Sequence, residues 1–337
     1  MIERTPRICE LAGKHILITG AGGLVCSAIA DVLLRCNEQH DLPIAVIAAG
    51  RSEIRIRERF ARYAEAPYFH FLPYDATKAE ICIPYPVDYI IHGAGNATPD
   101  RITEEPVETM LGNFMGLYGL LHFAGEHSVK RLLYISSSEV YGKKDDSRPF
   151  RETEYGAIDL LNPRNSYSVS KRAAETLCAS FVKEYGVETV IARPGHVYGP
   201  TASRGDGRVS SRWAYDAAAG RDLVMKSDGA QIRSYCHCLD AASAILTVLL
   251  KGEANQAYNI SNSDSVISIR QMAEMLAVQA GVSLVTDRPT EEEQKSFNPM
   301  ANSSLDNSRL SALGWKGCFD AETGFAHTLQ ILKETGC

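Results

Sequence analysis

Apolar residues run almost without interruption through seven short segments of the chain, at 15–19, 44–49, 68–72, 87–92, 132–136, 189–193 and 257–260. Strict alternation would predict strands with one wet face. Continuous β-branched runs instead predict strands buried on both faces, as in a parallel sheet. Between them lie stretches with helical spacing, at 24–36, 107–124, 167–185 and 240–250. Strand followed by helix, repeated with right-handed crossovers, predicts an α/β fold: a Rossmann-like, doubly wound parallel sheet. Two stretches break the rhythm. Residues 195–232 are rich in Gly, Arg, Ser and Asp, and 263–337 mix one helix (268–279) with loop-like sequence. Ligands of such sheets sit beyond the carboxyl ends of the strands, where late insertions are well placed to cover them. The expected division is therefore a dinucleotide-binding domain of residues 12–194 and 233–262, and a smaller, discontinuous substrate domain of 195–232 and 263–337.

The first strand runs directly into Thr19-Gly20-Ala21-Gly22-Gly23-Leu24-Val25-Cys26. A glycine turn between a strand and a helix presents free backbone N–H groups and a positive helix end, which suit a pyrophosphate. Gly20, Gly22, Gly23 and Leu24 are the candidate cofactor residues here. An NAD enzyme places an acid at the end of the second strand to bind the ribose hydroxyls. This strand ends Ala48-Ala49-Gly50-Arg51-Ser52, with no carboxylate. Arg51 and Ser52 are expected to hold a 2′-phosphate, which favours NADP over NAD and leaves both open. The later arginines 55, 57, 59 and 62 read as one side of a solvated helix with Glu53–Arg57 and Glu58–Arg62 pairs.

Tyr167 and Lys171 lie four residues apart in a predicted helix and so share a face. A lysine cation beside a phenol favours the phenolate and is expected to pull the tyrosine down from its usual ~10. An oxidised nicotinamide is expected to add positive charge, and Tyr167 then serves as a general base on a substrate hydroxyl. Ser137, in the Ser136-Ser137-Ser138 run that ends the fifth strand, is placed to hydrogen-bond the same hydroxyl.

Composition narrows the partners. With 35 basic and 41 acidic residues the net charge is −6, so neither nucleic acid nor an anionic membrane is an expected partner. An anionic ligand must be held by local positive charge. The apolar run 241–250 is far shorter than the ~20 residues of a membrane span, and the first fifteen residues lack a signal-like apolar core. A cytoplasmic location is expected. Nine cysteines without a CxxC pair signal neither a disulfide framework nor a zinc cage, and no metal is expected. Cys236 and Cys238 read as two sulfurs packed on one strand face.

Taken together, the TGxxGxxx turn, the serine run and the YxxxK pair resemble the extended short-chain dehydrogenases/reductases, across nearly the whole chain. Cys26 stands where that family has its third glycine. The resemblance implies that Asp75 and Ala76 hold the adenine, that Gly93 and Ala94 line the cofactor, and that Asn113 is the active-site helix asparagine. It also implies that Lys171 binds the nicotinamide ribose. Arg193-Pro194-Gly195-His196-Val197-Tyr198-Gly199-Pro200 is similar to the family's RPxNVYGP segment, with His196 in place of an asparagine that reaches the nucleotide sugar. A homodimer through helices 107–124 and 167–185 is implied as well. Gly112, Gly116 and Gly119 fit either close approach of a partner helix or packing on the protein's own sheet.

Within that family the chain looks most like the nucleotide-sugar branch, and there the UDP-glucuronate decarboxylases. Ser136-Ser137-Ser138-Glu139-Val140-Tyr141-Gly142 is similar to their STSEVYG. Gly205-Asp206-Gly207-Arg208-Val209 resembles NDGRV, and Gln231-Ile232-Arg233-Ser234-Tyr235 resembles QTRSF. Ser138, His196, Arg208, Val209 and Arg233 are thus the expected substrate contacts, and Tyr167, Lys171, Ser137 and Glu139 the catalytic group. A 4,6-dehydratase uses an Asp-Glu pair where this chain has Ser138-Glu139. A 4-epimerase has small residues at both places. The expected order is decarboxylase, then epimerase, then dehydratase. A cofactor-sensing regulatory protein is the rival outside enzymes, and it has no need of an intact Ser137, Tyr167 and Lys171.

Overall fold

The computed structural model describes residues 5–40, 42–144, 146–290 and 300–336. Seven strands form one parallel sheet: β1 (His15–Thr19), β2 (Ala45–Gly50), β3 (Phe69–Pro73), β4 (Tyr89–His92), β5 (Arg131–Ile135), β6 (Thr189–Pro194) and β10 (Ala257–Ile260). Their spatial order is β10-β6-β5-β4-β1-β2-β3. The chain reverses direction across the sheet between β1 and its neighbours β2 and β4, so the ends of β1 and β4 open a crevice.

Helices cover both faces, because each strand is apolar on both. On one face lie α1 (Leu24–His40), α2 (Glu53–Arg59) and α7 (Cys238–Lys251), over a core of Ile16, Ile18, Leu33, Ile91, Leu133 and Ile245. On the other lie α4 (Pro106–Glu126), which follows the short α3 (Pro99–Glu104), and α5 (Ser166–Tyr185). They pack Leu117, Leu120, Leu121, Cys178 and Phe181 on Leu17, Ile47, Ile90 and Leu132. A methyl group on Gly116 would overlap Tyr74 and Ala76, and one on Gly119 would overlap Ala79. These two glycines therefore serve packing on the chain's own 74–79 segment.

A second cluster is built from α6 (Val209–Ala218), α8 (Ile269–Ala280) and α10 (Ala321–Glu334) around Trp213, Met225, Tyr235, Met272, Leu276 and Phe325. A three-stranded sheet of β7 (His196–Tyr198), β9 (Ile232–His237) and β11 (Val266–Ser268) joins it, with β8 (Leu223–Met225) paired to β12 (Leu284–Thr286).

Two expected boundaries shift. Residues 233–237 belong with the small sheet, since β9 pairs with β7 and β11. Residues near 305–315, expected in the substrate domain, return to the large sheet through α9 (Ser308–Ala312). Leu310 and Trp315 are buried in the large core, and the Trp315 indole donates to Ser243 Oγ at 2.9 Å. Burial of a tryptophan decides that boundary more strongly than chain order does. Residues 291–299 and 337, also assigned to the substrate domain, lie outside the described residues.

Arg57 pairs with Glu53 at 2.7 Å, but Arg62 reaches Glu38 on α1 at 2.7 Å and does not pair with Glu58. Cys236 and Cys238 are both fully buried in the large core. Among the described residues no helix is long and apolar enough to cross a membrane, and no group of three or more His, Cys, Asp or Glu is placed to hold a metal.

Candidate active site

A cavity of about 940 Å³ opens at the carboxyl ends of β1, β4, β5 and β6 and extends under α6 and β8. Its inner wall is the glycine turn. Gly20 has φ +72°, and a Cβ there would stand 2.9 Å from the Ala94 backbone, so only glycine lets the β1 and β4 loops meet. Thr19 Oγ1 lies 2.7 Å from the buried His92 Nδ1 and accepts the Ala94 N–H at 3.3 Å, which ties the two loops together. Burial, with the Lys171 charge second, lowers His92 to about 3, so it is a neutral structural group.

Cys26 is buried, and a methyl on Gly93 would overlap its sulfur. The cysteine sulfur fills the space next to Gly93. The N-terminus of the 17-residue α1 has no acidic residue in its first turn. Gly20, Gly22, Gly23 and Leu24 line the cavity there, together with Gly93 and Gly95. Backbone donors, a positive helix end and side-chain-free walls fit a dinucleotide pyrophosphate and nicotinamide.

Tyr167 and Lys171 project from one face of α5 into the same cavity as Ser136, Ser137, Ser138 and Glu139. Lys171 Nζ donates to the Ile135 carbonyl at 2.8 Å and sits 5.6 Å from the Tyr167 ring centroid. Asn113 Nδ2 donates to Thr109 O at 2.9 Å and to Ser170 Oγ at 3.1 Å, while its buried Oδ1 is unpartnered. Behind the lysine, Glu175 accepts from Ser136 Oγ at 2.5 Å and from Arg193 Nη2 at 2.6 Å. This buried pair braces the serine loop against the end of β6.

The expected electrostatics of the pair are corrected by its burial. Tyr167 is pushed up to about 12, first by burial and then by the Glu139 carboxylate; Ser137, Arg208 and Arg164 pull the other way. Lys171 is lowered to about 7 by burial, against Glu175. Desolvation and Glu139 together outweigh Ser137, Arg208 and Arg164, so burial and not the lysine dominates the titration of the phenol.

Glu139 is oriented by its neighbours. Its backbone N–H is accepted by Ser137 Oγ at 3.2 Å, and Oε2 accepts from Ser168 Oγ at 3.1 Å. Of the expected substrate residues, Ser138, His196, Arg208, Val209 and Arg233 all line the cavity. Arg208 is paired with Asp206 at 2.7 Å. Arg233, buried, donates to the carbonyls of Ile232 and Met300 at 2.9 and 3.0 Å. His196 is lowered to about 3 by burial and then by Arg233 and Arg208, so it presents a neutral imidazole.

Arg51, Ser52, Asp75, Ala76 and Ala94 do not line this cavity. They stand at the β2, β3 and β4 ends instead, where Ser52 Oγ caps α2 by accepting the Arg55 N–H at 3.4 Å. Asp75 accepts from Thr77 N and Oγ1 at 3.0 and 2.8 Å, and those bonds, with Arg51 a small contributor, hold its carboxyl below the usual range. Sequence reasoning missed Asp100, Glu104 and Arg164 in the cavity wall. None of the three carried a sequence signal: Arg164 precedes α5, in the turn Pro163–Asn165, so helical spacing from Tyr167 does not place it.

The family model described as the NAD dependent epimerase/dehydratase family matches residues 16–261. The chain is 29% identical over 287 residues to UDP-glucuronic acid decarboxylase 6 of Arabidopsis thaliana, covering 84% of this chain and 80% of that protein. It is 28% identical over 331 residues to a trifunctional UDP-glucose 4,6-dehydratase/UDP-4-keto-6-deoxy-D-glucose 3,5-epimerase/UDP-4-keto-L-rhamnose-reductase of the same plant. That match covers 95% of this chain but only 47% of the relative, so the chain spans about half its length. The fold is shared with the UDP-glucose 4-epimerase of Thermotoga maritima, solved with UDP-glucose: TM-score 0.81, 23% identity, 96% of this chain and 100% of that one.

Proposed function

The chain belongs to the NAD dependent epimerase/dehydratase family, and from that premise we propose that it modifies a nucleotide-activated sugar through a 4-keto intermediate. Decarboxylation of UDP-glucuronate is the reaction the site supports best. One observation carries this reading: Glu139 shares a cavity wall with Ser137, Tyr167 and Lys171, and the residue before it is Ser138, not a second acid.

Tyr167 takes the proton from the C4 hydroxyl, which Ser137 also holds by a hydrogen bond. When bound, NAD supplies the hydride acceptor for C4 and the positive charge that the buried phenol lacks. Gly20, Gly22, Gly23, Leu24 and Gly93 would hold it, with Lys171 on its ribose. A 4-keto uronate is a β-keto acid and loses CO2 once its carboxylate is poorly solvated. Arg233 and Arg208 supply the local positive charge for the diphosphate, and His196 and Val209 border the sugar nucleotide. A dehydratase must protonate a departing hydroxyl with a second acid, which Ser138 does not provide. The cavity draws its cofactor wall from residues 12–194 and its outer wall from 195–235 and the segments after 262.

UDP-glucuronate is expected to yield CO2 and a UDP-pentose without net consumption of cofactor, or, where the 4-keto pentose is released instead, one reduced nicotinamide for each CO2. Glu139→Gln should slow CO2 release more than the initial oxidation, so reduced nicotinamide persists longer in that variant. Interconversion of UDP-glucose and UDP-galactose without CO2 release would move the assignment to epimerase. A 4-keto-6-deoxy sugar would move it to dehydratase.

Two finer points belong to the same proposal. The exposed Arg51 supports a 2′-phosphate and hence NADP; stronger thermal stabilisation by NAD than by NADP reverses that choice. The exposed Val107, Met110, Leu111 and Tyr118 on α4 and Tyr185 on α5 support a homodimer, and light scattering of a monomer at micromolar concentration rules it out.

A further inference from the structure

Tyr134 sits in β5, fully buried under α5 in the same core as Ala174 and Cys178. Its hydroxyl meets no hydrogen-bond partner. A tyrosine buried without use of its hydroxyl has only its ring to offer. That ring is held in place. His92, its register partner on β4, stacks on it at 5.8 Å and 24°, and Tyr74 meets His92 edge-on at 6.2 Å. Lys171 Nζ stands 4.6 Å from the Tyr134 ring centroid, closer than its 5.6 Å to Tyr167.

Lys171 needs such a neighbour. It is 4% exposed, and a buried ammonium is costly unless its N–H groups and its charge are met. One N–H goes to the Ile135 carbonyl. The titratable groups around it are Cys26 on α1, His92 on β4, Tyr134 on β5, and Tyr167, Glu175 and Cys178 on α5. Burial keeps the two thiols protonated and His92 neutral. Glu175 is engaged by Arg193 and Ser136, and among the described residues no carboxylate comes within ion-pair distance of Lys171. What remains is the negative face of an aromatic ring, which attracts a cation within about 6 Å of its centroid. We propose that Tyr134 is a positioning residue for Lys171: its ring face keeps the buried ammonium charged and holds it between the Ile135 carbonyl and Tyr167. The effect on turnover rests on the nucleotide-sugar reading above; the charge on Lys171 does not.

The test is an NMR pH titration of the Lys171 side chain in the full chain, carrying isotope-labelled lysine and without added cofactor. Lys171→Met identifies the signal. Tyr134→Phe keeps the ring face and should leave the midpoint near its starting value of about 7. Tyr134→Leu removes the face and should lower the midpoint by about one pH unit, since a desolvated cation–π contact is worth about tenfold in the protonation equilibrium. Tyr134→pentafluorophenylalanine keeps the outline of Phe but reverses the ring's charge distribution, and should lower the midpoint at least as far. It decides the matter if the Leu variant does not fold. An unmoved midpoint in a folded Leu variant or in the fluorinated one, or an equal fall in the Phe variant, overturns the inference whatever the protein turns over. A midpoint that falls as expected while no nucleotide sugar reacts leaves the inference standing and removes the nucleotide-sugar reading.

Discussion

At the floor of the cavity Lys171 Nζ is fixed on the Ile135 carbonyl at 2.8 Å, and Asn113 is held by Thr109 and Ser170. At the rim Arg164 faces Glu139 across 3.7 Å, and Arg208 is fastened to a loop aspartate only two residues away. The floor is positioned by strands and helices that the large core holds rigid, and its polar groups are met by main chain or buried partners. The rim is carried on turns, and its charges are partly solvated. Groups of the first kind are suited to hold reacting atoms in place, and partly solvated charges of the second kind to contact whatever ligand enters.

The comparison breaks most sharply at the base. Tyr167→Phe is expected to lower turnover by at least ~10², the scale of a positioned general base, with sugar and cofactor affinity nearly intact. Steady-state kinetics alongside binding measurements decide this, and near-normal turnover would place the chemistry elsewhere. A rim substitution such as Arg208→Gln should show the converse, weakening nucleotide-sugar affinity more than it slows turnover.

The steric character of the floor is sharpened by the Cys26–Gly93 contact. Gly93→Ala drives a methyl into the Cys26 sulfur and comes within 3.1 Å of Ile135, so overpacking should cost about 1–3 kcal/mol. Adding Cys26→Gly should recover a good part of that loss, and a double-mutant cycle on denaturant unfolding measures the coupling. Strict additivity would mean that the sulfur is not what excludes the methyl.

A pH-dependent test concerns Lys171, whose proton is held less tightly in the folded protein, down at about 7, than in the unfolded chain. Between about 7 and the ordinary lysine range the unfolded state binds the extra proton, so stability rises with pH there. Lys171→Met removes that slope. Its stability advantage over the unaltered protein should be largest below pH 7 and shrink as pH rises toward 10, read from unfolding midpoints of cofactor-free protein. An advantage independent of pH would mean that Lys171 is not desolvated in the folded state.

The glycine turn, the Tyr167–Lys171 spacing, the serine run and the seven apolar segments were all legible in sequence. Each depends on contacts within a few residues or on one strand or helix period, and those local rules leave a direct imprint on the chain. The membership of 233–237 in the small sheet and the return of Leu310 and Trp315 to the large core were not legible, because they depend on which surface a segment meets after folding. The titration of the catalytic pair was misjudged for a related reason. Four-residue spacing says that two groups are neighbours, but only packing says how dry they are, and dryness here outweighs their mutual charge.

Sequence alone thus determined the doubly wound sheet, the glycine turn that ends β1 and the shared helix face of Tyr167 and Lys171, since periodicity and short motifs specify local geometry. The tertiary structure decided that Cys26 closes on Gly93, that Glu175 and Arg193 brace the serine loop, and that Arg164 comes to stand beside Glu139. Glu139 and Arg164 are 25 residues apart in the chain, and Cys26 and Gly93 farther still. Nothing in either segment encodes the distance between them until the sheet, by stacking β1, β4 and β5 in register, brings their ends into one crevice.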